Sequence, residues 1–164
     1  MTIEEHYQVL APKLTNYLVA SGTAYATACD IVQETFLRLW RRRDELMDDA
    51  AQVSGLVYTI ARNLRNDLAR KARREVLQEE IRDEDAGAYE VDMERADENA
   101  RLRKRLDAAL EQVPPLLREA FLLFQVAELS IREIARQTGV SESLVKVRIH
   151  RAKQKLRDVL GTGR

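Results

Sequence analysis

Residues 128–157, ELSIREIARQTGVSESLVKVRIHRAKQKLR, constrain this chain more than any other stretch. Ser130 stands where a helix N-cap is expected, and Glu133 three residues later has the spacing of a capping box. Thr138-Gly139-Val140 supplies a turn, with the glycine free to take a positive φ. Ser141 then caps a second helix. In that helix Val145, Ile149, Ala152 and Leu156 recur at i, i+4, i+7 and i+11, so they share one face and are candidates for burial. Ser143, Val147, His150 and Gln154 fall on the opposite face, flanked by Lys146, Arg151 and Arg157. From Lys146 to Arg157 there are six Lys/Arg and no acid. Such a pair of helices reads as a helix-turn-helix, with one side shaped for a core and the other for the major groove of DNA.

The rest of the chain reads as helical too. Residues 3–20 carry Tyr7, Leu10, Leu14, Tyr17 and Leu18 at helical spacing, and a turn at Ser21-Gly22 follows. Residues 24–43 are the strongest helix of the first half, with Val32, Phe36 and Leu39 in register and Leu37 and Trp40 widening the stripe. Asp44–Gly55 is polar and rich in small residues, which predicts that it contains a loop. Residues 56–73 form the next helix on Val57, Ile60, Leu64 and Leu68, and its end is basic (Arg70, Lys71, Arg73, Arg74). A further helix begins near Arg101, with Leu102, Leu106, Ala109, Leu110 and Val113 on one face. Pro114-Pro115 ends it, because proline lacks an N–H and restricts the residue before it. Leu116 to about Ala127 then forms a helix that roofs the helix-turn-helix.

Net charge is zero over 164 residues, but the charges are partitioned. Residues 1–74 hold 11 basic and 9 acidic side chains, residues 75–98 hold 2 and 11, and residues 99–164 hold 14 and 7. The acidic segment has few large apolar groups and no sustained period, which marks it as a linker. The fold class that follows is all-α: two small helical domains, 1–74 and 99–164, joined by an acidic linker, 75–98.

Several function classes drop out. The single cysteine, Cys29, excludes an internal disulfide and a cysteine-based zinc site, and it reads as a small packing residue. His6 and His150 are the only histidines. No paired carboxylates, Cys/His cluster, phosphate loop or nucleophile motif is present, so neither an enzyme nor a bound metal or cofactor is expected. No apolar run approaches a membrane span, which predicts no direct membrane binding. The start, MTIEEHYQ, lacks the features of a secretory signal, so the cytoplasm is the expected compartment. The helix 56–74 mixes Tyr58, Asn63 and Asn66 with Arg62, Arg65, Arg70, Lys71 and Arg73. Aromatic, amide and basic groups together suit unstacked single-stranded bases and their phosphates.

Four segments carry a family resemblance. Asp30 to Trp40 (DIVQETFLRLW) resembles the core-polymerase-binding helix of bacterial extracytoplasmic-function sigma factors, and Tyr58 to Asn63 (YTIARN) resembles the start of their promoter-melting helix. Val113 to Phe121 (VPPLLREAF) resembles the opening of their C-terminal domain, and Leu144 to Ala152 (LVKVRIHRA) their recognition helix. All four stand in the family's order. The resemblance implies that 1–74 is a region 2-like domain and 99–164 a region 4-like one. It implies that Asp30, Gln33, Glu34, Leu37 and Trp40 bind core RNA polymerase at the β′ clamp helices, with Phe36 packing the core. The loop Met47–Gly55 would hold a flipped base of the minus-10 element. Tyr58, Arg62, Asn63, Asn66, Arg70 and Lys71 would hold the melted strand. Ser141, Ser143, Lys146, Val147, His150 and Arg151 would read the minus-35 duplex, while Arg148 points toward the helix edge.

The same resemblance implies further partners: the polymerase β subunit, promoter DNA and an anti-sigma factor that is often membrane-anchored. It also gives the acidic linker a path through the RNA exit channel, where its charge mimics nucleic acid. The chain departs from the family pattern at Leu56, where a Trp is frequent, at Val53, where an aromatic is, and at Val147, where a small polar residue is. Valine cannot hydrogen-bond a base edge but can touch a thymine methyl. Two other functions compete: a stand-alone helix-turn-helix regulator, and a sigma mimic that sequesters an anti-sigma factor.

Overall fold

The computed structural model describes residues 2–46, 49–78 and 97–161. The chain divides into two compact units, Met1–Gly87 and Ala88–Arg164. All regular structure among the described residues is helical.

The first unit is built from α1 (Ile3–Ala20), α2 (Tyr25–Arg41) and α3 (Ala50–Gln78), with a short 3-10 turn at Arg43–Glu45. Thr2 and Glu5 form a reciprocal capping box at the start of α1, so two of its orphan N–H groups are satisfied. Gly22, at φ 102°, turns the chain after α1. Leu10, Leu14, Tyr17 and Leu18 of α1 pack with Ala28, Ile31, Val32, Phe36 and Leu39 of α2, whereas Tyr7 of the predicted stripe stays 41% exposed. Thr35, fully buried in α2, donates its hydroxyl back to the Ile31 carbonyl at 2.7 Å, so no polar atom of that group is stranded. From α3 the core receives Val53, Val57, Tyr58 and Ala61. The Tyr58 ring meets the Tyr17 ring edge-on at 5.6 Å. Arg65 then ties α3 to the end of α1, donating to the Tyr17 hydroxyl at 3.0 Å and to Ser21 Oγ at 3.3 Å.

Two expectations need correction here. The segment Met47–Gly55, expected to be a base-holding loop, is not one throughout, because α3 already begins at Ala50. Asp49 caps it, its Oδ1 accepting from the Ala51 N–H at 3.0 Å. Once capped, the small residues Ala50, Ala51 and Gly55 continue the helix and bury Val53. Met47 and Asp48 lie outside the described residues. The buried side of α3 is also turned from the predicted stripe: Val57 is inside, but Ile60 and Leu64 are only half-buried and Leu68 is 44% exposed.

The second unit holds α4 (Asp97–Glu111), α5 (Pro115–Gln125), α6 (Ile131–Thr138) and α7 (Glu142–Gly161). Pro115 occupies the first turn of α5, where its missing N–H costs nothing. Leu122 and Leu123 of α5, Ile134 of α6 and Val145, Ile149, Ala152 and Leu156 of α7 make the core. Ala109 and Leu110 close it from α4 and Val113 from the turn that follows, whereas Leu102 and Leu106 of the predicted stripe stay 59% and 42% exposed. The core of this unit therefore covers the end of α4 and leaves its start open. Ser130 caps α6 by accepting from the Glu133 N–H at 3.0 Å. The second half of the expected capping box is replaced: Glu133 accepts from Gln137 at 3.2 Å and pairs with Arg136 at 3.5 Å.

The segment read as linker, 75–98, is helical at its two ends. Helix α3 runs to Gln78 and α4 starts at Asp97, while 79–96 lie outside the described residues.

Candidate nucleic-acid and partner interfaces

The turn between α6 and α7 positions the recognition helix. Gly139 takes φ 71° and ψ 25°, the left-handed conformation, and its N–H closes on the Ala135 carbonyl at 2.9 Å. Ser141 Oγ accepts from the Leu144 N–H at 3.1 Å and starts α7. With Val145, Ile149, Ala152 and Leu156 all buried, α7 cannot rotate, and Ser143, Lys146, Val147, His150 and Arg151 are held out to solvent. Val147 is 41% exposed, an apolar point among donors. Arg148 is half-buried at the edge. Lys153 lies with Nζ 5.4 Å from the Phe124 ring, so this base contributes to packing against α5 as well as to the surface charge.

Helix α3 offers a second basic surface. Asn63, Asn66, Arg70 and Lys71 are exposed and Arg62 is half-buried. Arg70 is ion-paired with Asp67, one turn away, and Asn66 accepts from Arg65 at 3.3 Å. Tyr58 does not belong to this surface. It is fully buried against Tyr17, so its ring cannot stack on a base, and it is removed from the single-strand site on that ground. Arg65 is likewise spent on Tyr17 and Ser21.

A third surface lies along α2. Asp30 and Gln33 are exposed, Leu37 is 50% and Trp40 43% exposed, while Phe36 is buried. Glu34 is held by Arg38 at 3.1 Å, one turn along the helix. Leu37, Trp40 and Gln33 border an open groove of about 480 Å³ whose other wall is α1, through Ile3 and Tyr7. The Tyr7 ring stands edge-on to Phe36 at 5.0 Å, and Arg43 covers the indole of Trp40 at 4.3 Å while donating to the Trp40 carbonyl at 2.9 Å. The α1 wall and Arg43 were not singled out from the sequence. Tyr7 read as one member of a core stripe, and a cation over a ring leaves no periodic signal.

Cys29 is half-buried one turn after Tyr25, and the hydrogen bond between their side chains raises the Tyr25 phenol above its ordinary range. Among the described residues no group of His, Cys, Asp and Glu could hold a metal ion, and no helix is long and apolar enough to cross a membrane.

Residues 3–75 match the family model Sigma-70 region 2, and residues 103–156 match Sigma-70, region 4. The chain is 30% identical over 154 residues to the ECF RNA polymerase sigma factor RpoE of Cereibacter sphaeroides, covering 93% of this chain and 83% of that one. To the RNA polymerase sigma factor CarQ of Myxococcus xanthus it is 32% identical over 151 residues, covering 92% and 84%. The fold is shared with the sigma factor RpoE of Bartonella quintana, solved in complex with the anti-sigma factor NepR. The TM-score there is 0.71 at 23% identity, with 98% of each chain covered.

Proposed function

The chain belongs to the extracytoplasmic-function family of RNA polymerase sigma factors, and from that membership we propose a division of labour among its exposed faces. As a sigma factor it directs RNA polymerase to a class of promoters and supports initiation there. In our reading the α7 face lies in the major groove of the minus-35 duplex. Lys146, His150 and Arg151 read base edges, Val147 touches a thymine methyl, and Ser141 and Ser143 contact the nearby backbone. The exposed part of α3, through Arg62, Asn63, Asn66, Arg70 and Lys71, follows the melted non-template strand of the minus-10 element. Asp30, Gln33, Glu34, Leu37 and Trp40 dock on the β′ clamp helices of core polymerase, and the β subunit receives the second unit.

The observation that carries this reading is the exposure of Leu37 and Trp40 beside Asp30 and Gln33. Exposed Leu and Trp among polar groups make a protein-docking face, which a stand-alone DNA-binding regulator does not need. The protein contributes binding energy and no catalytic group. It works in the cytoplasm, and an anti-sigma factor holds it as NepR holds the Bartonella protein, whether or not that partner is anchored to a membrane. The test pairs a transcription assay with a pull-down. Core polymerase supplied with this chain should start transcripts at a defined set of sites on genomic DNA. Asp30→Ala together with Trp40→Ala should remove the chain from a core-polymerase pull-down. A folded double variant that still binds would refute the α2 assignment, and absence of start-site selection would refute the whole reading.

A further inference from the structure

Arg65 stands on α3 where the buried root of the helix meets its exposed arm, and its guanidinium bonds in both directions. Inward, Nη1 donates to the Tyr17 hydroxyl at 3.0 Å and to Ser21 Oγ at 3.3 Å, and the guanidinium carbon lies 5.7 Å from the centre of the Tyr17 ring. Tyr17 is fully buried, and Ser21 is itself tied down, donating to the Leu18 carbonyl at 2.9 Å. Outward, Nε and Nη2 both donate to Oδ1 of Asn66, each at 3.3 Å. The planar fork thereby couples a side chain on the nucleic-acid face to the packed core of the first unit.

That contact fixes which way the Asn66 amide points. A guanidinium has donors only, so the amide atom that faces it must be the oxygen. The oxygen has two lone pairs, and Nε and Nη2 occupy both. The NH2 group, on the other side of the planar amide, is left to solvent, where Asn66 is exposed. An unrestrained asparagine reads adenine by two contacts, accepting from N6 and donating to N7. With its oxygen held, Asn66 can make only the donating one. Lys71, exposed nearby, offers phosphates a stronger, charged donor, which leaves the neutral amide for a base. Resting on the assignment of the exposed part of α3 to the melted strand, we propose that Arg65 is a positioning residue that makes Asn66 a donor-only contact. On that strand Asn66 then recognises a hydrogen-bond acceptor on a base edge and does not single out adenine.

The lock is read first in the free full-length chain by NMR. The Arg65 Nε–H should exchange slowly with water, and Asn66→Ala should quicken it severalfold. An Nε–H indifferent to Asn66→Ala overturns the proposal and leaves the strand assignment standing. Polymerase-bound chain is then titrated with forked promoter templates carrying adenine or thymine at each melted position in turn. Asn66→Ala should weaken binding by roughly two- to tenfold, with adenine templates suffering no more than thymine ones. In Arg65→Lys the ammonium can still hold Tyr17 but has no fork for Asn66, so adenine should become the more sensitive base at one position. Asn66→Asp keeps an oxygen for Arg65 and removes the outward NH2. This exposed, isosteric change should leave the fold intact and lose at least as much binding as Asn66→Ala. An abasic site at the contacted position should abolish the effect of Asn66→Ala. If a methylphosphonate abolishes it instead, the acceptor is a phosphate and the proposal falls. Adenine singled out by the wild-type chain, an unchanged base profile in Arg65→Lys, or full binding by Asn66→Asp would each overturn it too. If Asn66→Ala has no effect while Lys71→Ala still weakens binding, only the role of Asn66 is lost; if neither has an effect, the strand assignment falls with it.

Discussion

Helices α3 and α7 both present basic faces to solvent, but they are held in opposite ways. On α7 four apolar residues spread over twelve positions are buried at spacings of four, three and four, so the whole length of the basic face is fixed in direction. On α3 the anchors Val53, Val57, Tyr58 and Ala61 crowd into the first half, and every residue from Asn66 to Val76 is exposed. One helix is a rigid template across its reading surface. The other is a rigid root with a basic arm, and its arm carries an acid, Asp67, bound to Arg70. A template suits a duplex, whose groove has a fixed shape. An arm suits a single strand, whose bases and backbone adapt to it.

The largest effect expected from this contrast is at Tyr58. Truncating a fully buried aromatic costs about 3–5 kcal/mol of stability through lost packing and the cavity left behind. Tyr58→Ala should therefore lower the urea midpoint of the first unit strongly. Binding of promoter DNA by the fraction that remains folded should change little. A variant with normal stability and weakened minus-10 binding would return Tyr58 to the single-strand surface.

Arg151→Ala tests the template. If the α7 face reads bases, discrimination should fall by roughly 1–3 kcal/mol at particular minus-35 positions and remain at others. An equal loss on every promoter sequence would make Arg151 a phosphate contact. The arm is tested by salt. Arg148→Ala should reduce the slope of log affinity against log salt by about 0.9 if Arg148 neutralises a duplex phosphate, and Lys71→Ala by about 0.7 for a single-strand phosphate. Polymerase-bound full-length chain on promoter DNA is the sample for both. Equal, larger slopes at both positions would erase the distinction between the helices.

The same contrast explains how much could be read in advance. On α7 the period of the apolar residues, the glycine at 139 and the cap at Ser141 all point to one geometry, and the face they define is the exposed one. On α3 the signals conflict. Tyrosine is at home in a core and on a nucleic-acid surface, and only the packing of Tyr17 against it decides. Ala50, Ala51 and Gly55 have a loop-like composition, yet the Asp49 cap and the burial of Val53 continue the helix through them. Leu102 and Leu106 fit their helical stripe, but a stripe does not say where its cover ends. The α1 wall of the groove beside Trp40 depends on two helices meeting, which the spacing within either one does not encode.

The smallest effect concerns pH, and it should separate the units. Asp107 sits in α4, one turn after Arg103 and one turn before Glu111. Partial burial raises its carboxyl above the usual range; Arg103 opposes the shift and Glu111 adds to it. A carboxyl whose pKa is higher in the folded state binds its proton more tightly there. Its ionised form therefore costs stability at neutral pH, and the cost is relieved as pH falls through the raised value toward 3.8. Solvent screening keeps the effect small, about 0.5 kcal/mol or less. Asp107→Asn should slow amide exchange at the buried Ala109 and Leu110 at pH 7 and flatten their pH dependence, while the amides of Leu14 and Val57 in the first unit stay as they were. If exchange at Ala109 and Leu110 instead quickens in the variant, the attraction of Asp107 to Arg103 outweighs its burial. The charge on Arg103 is then engaged from within α4.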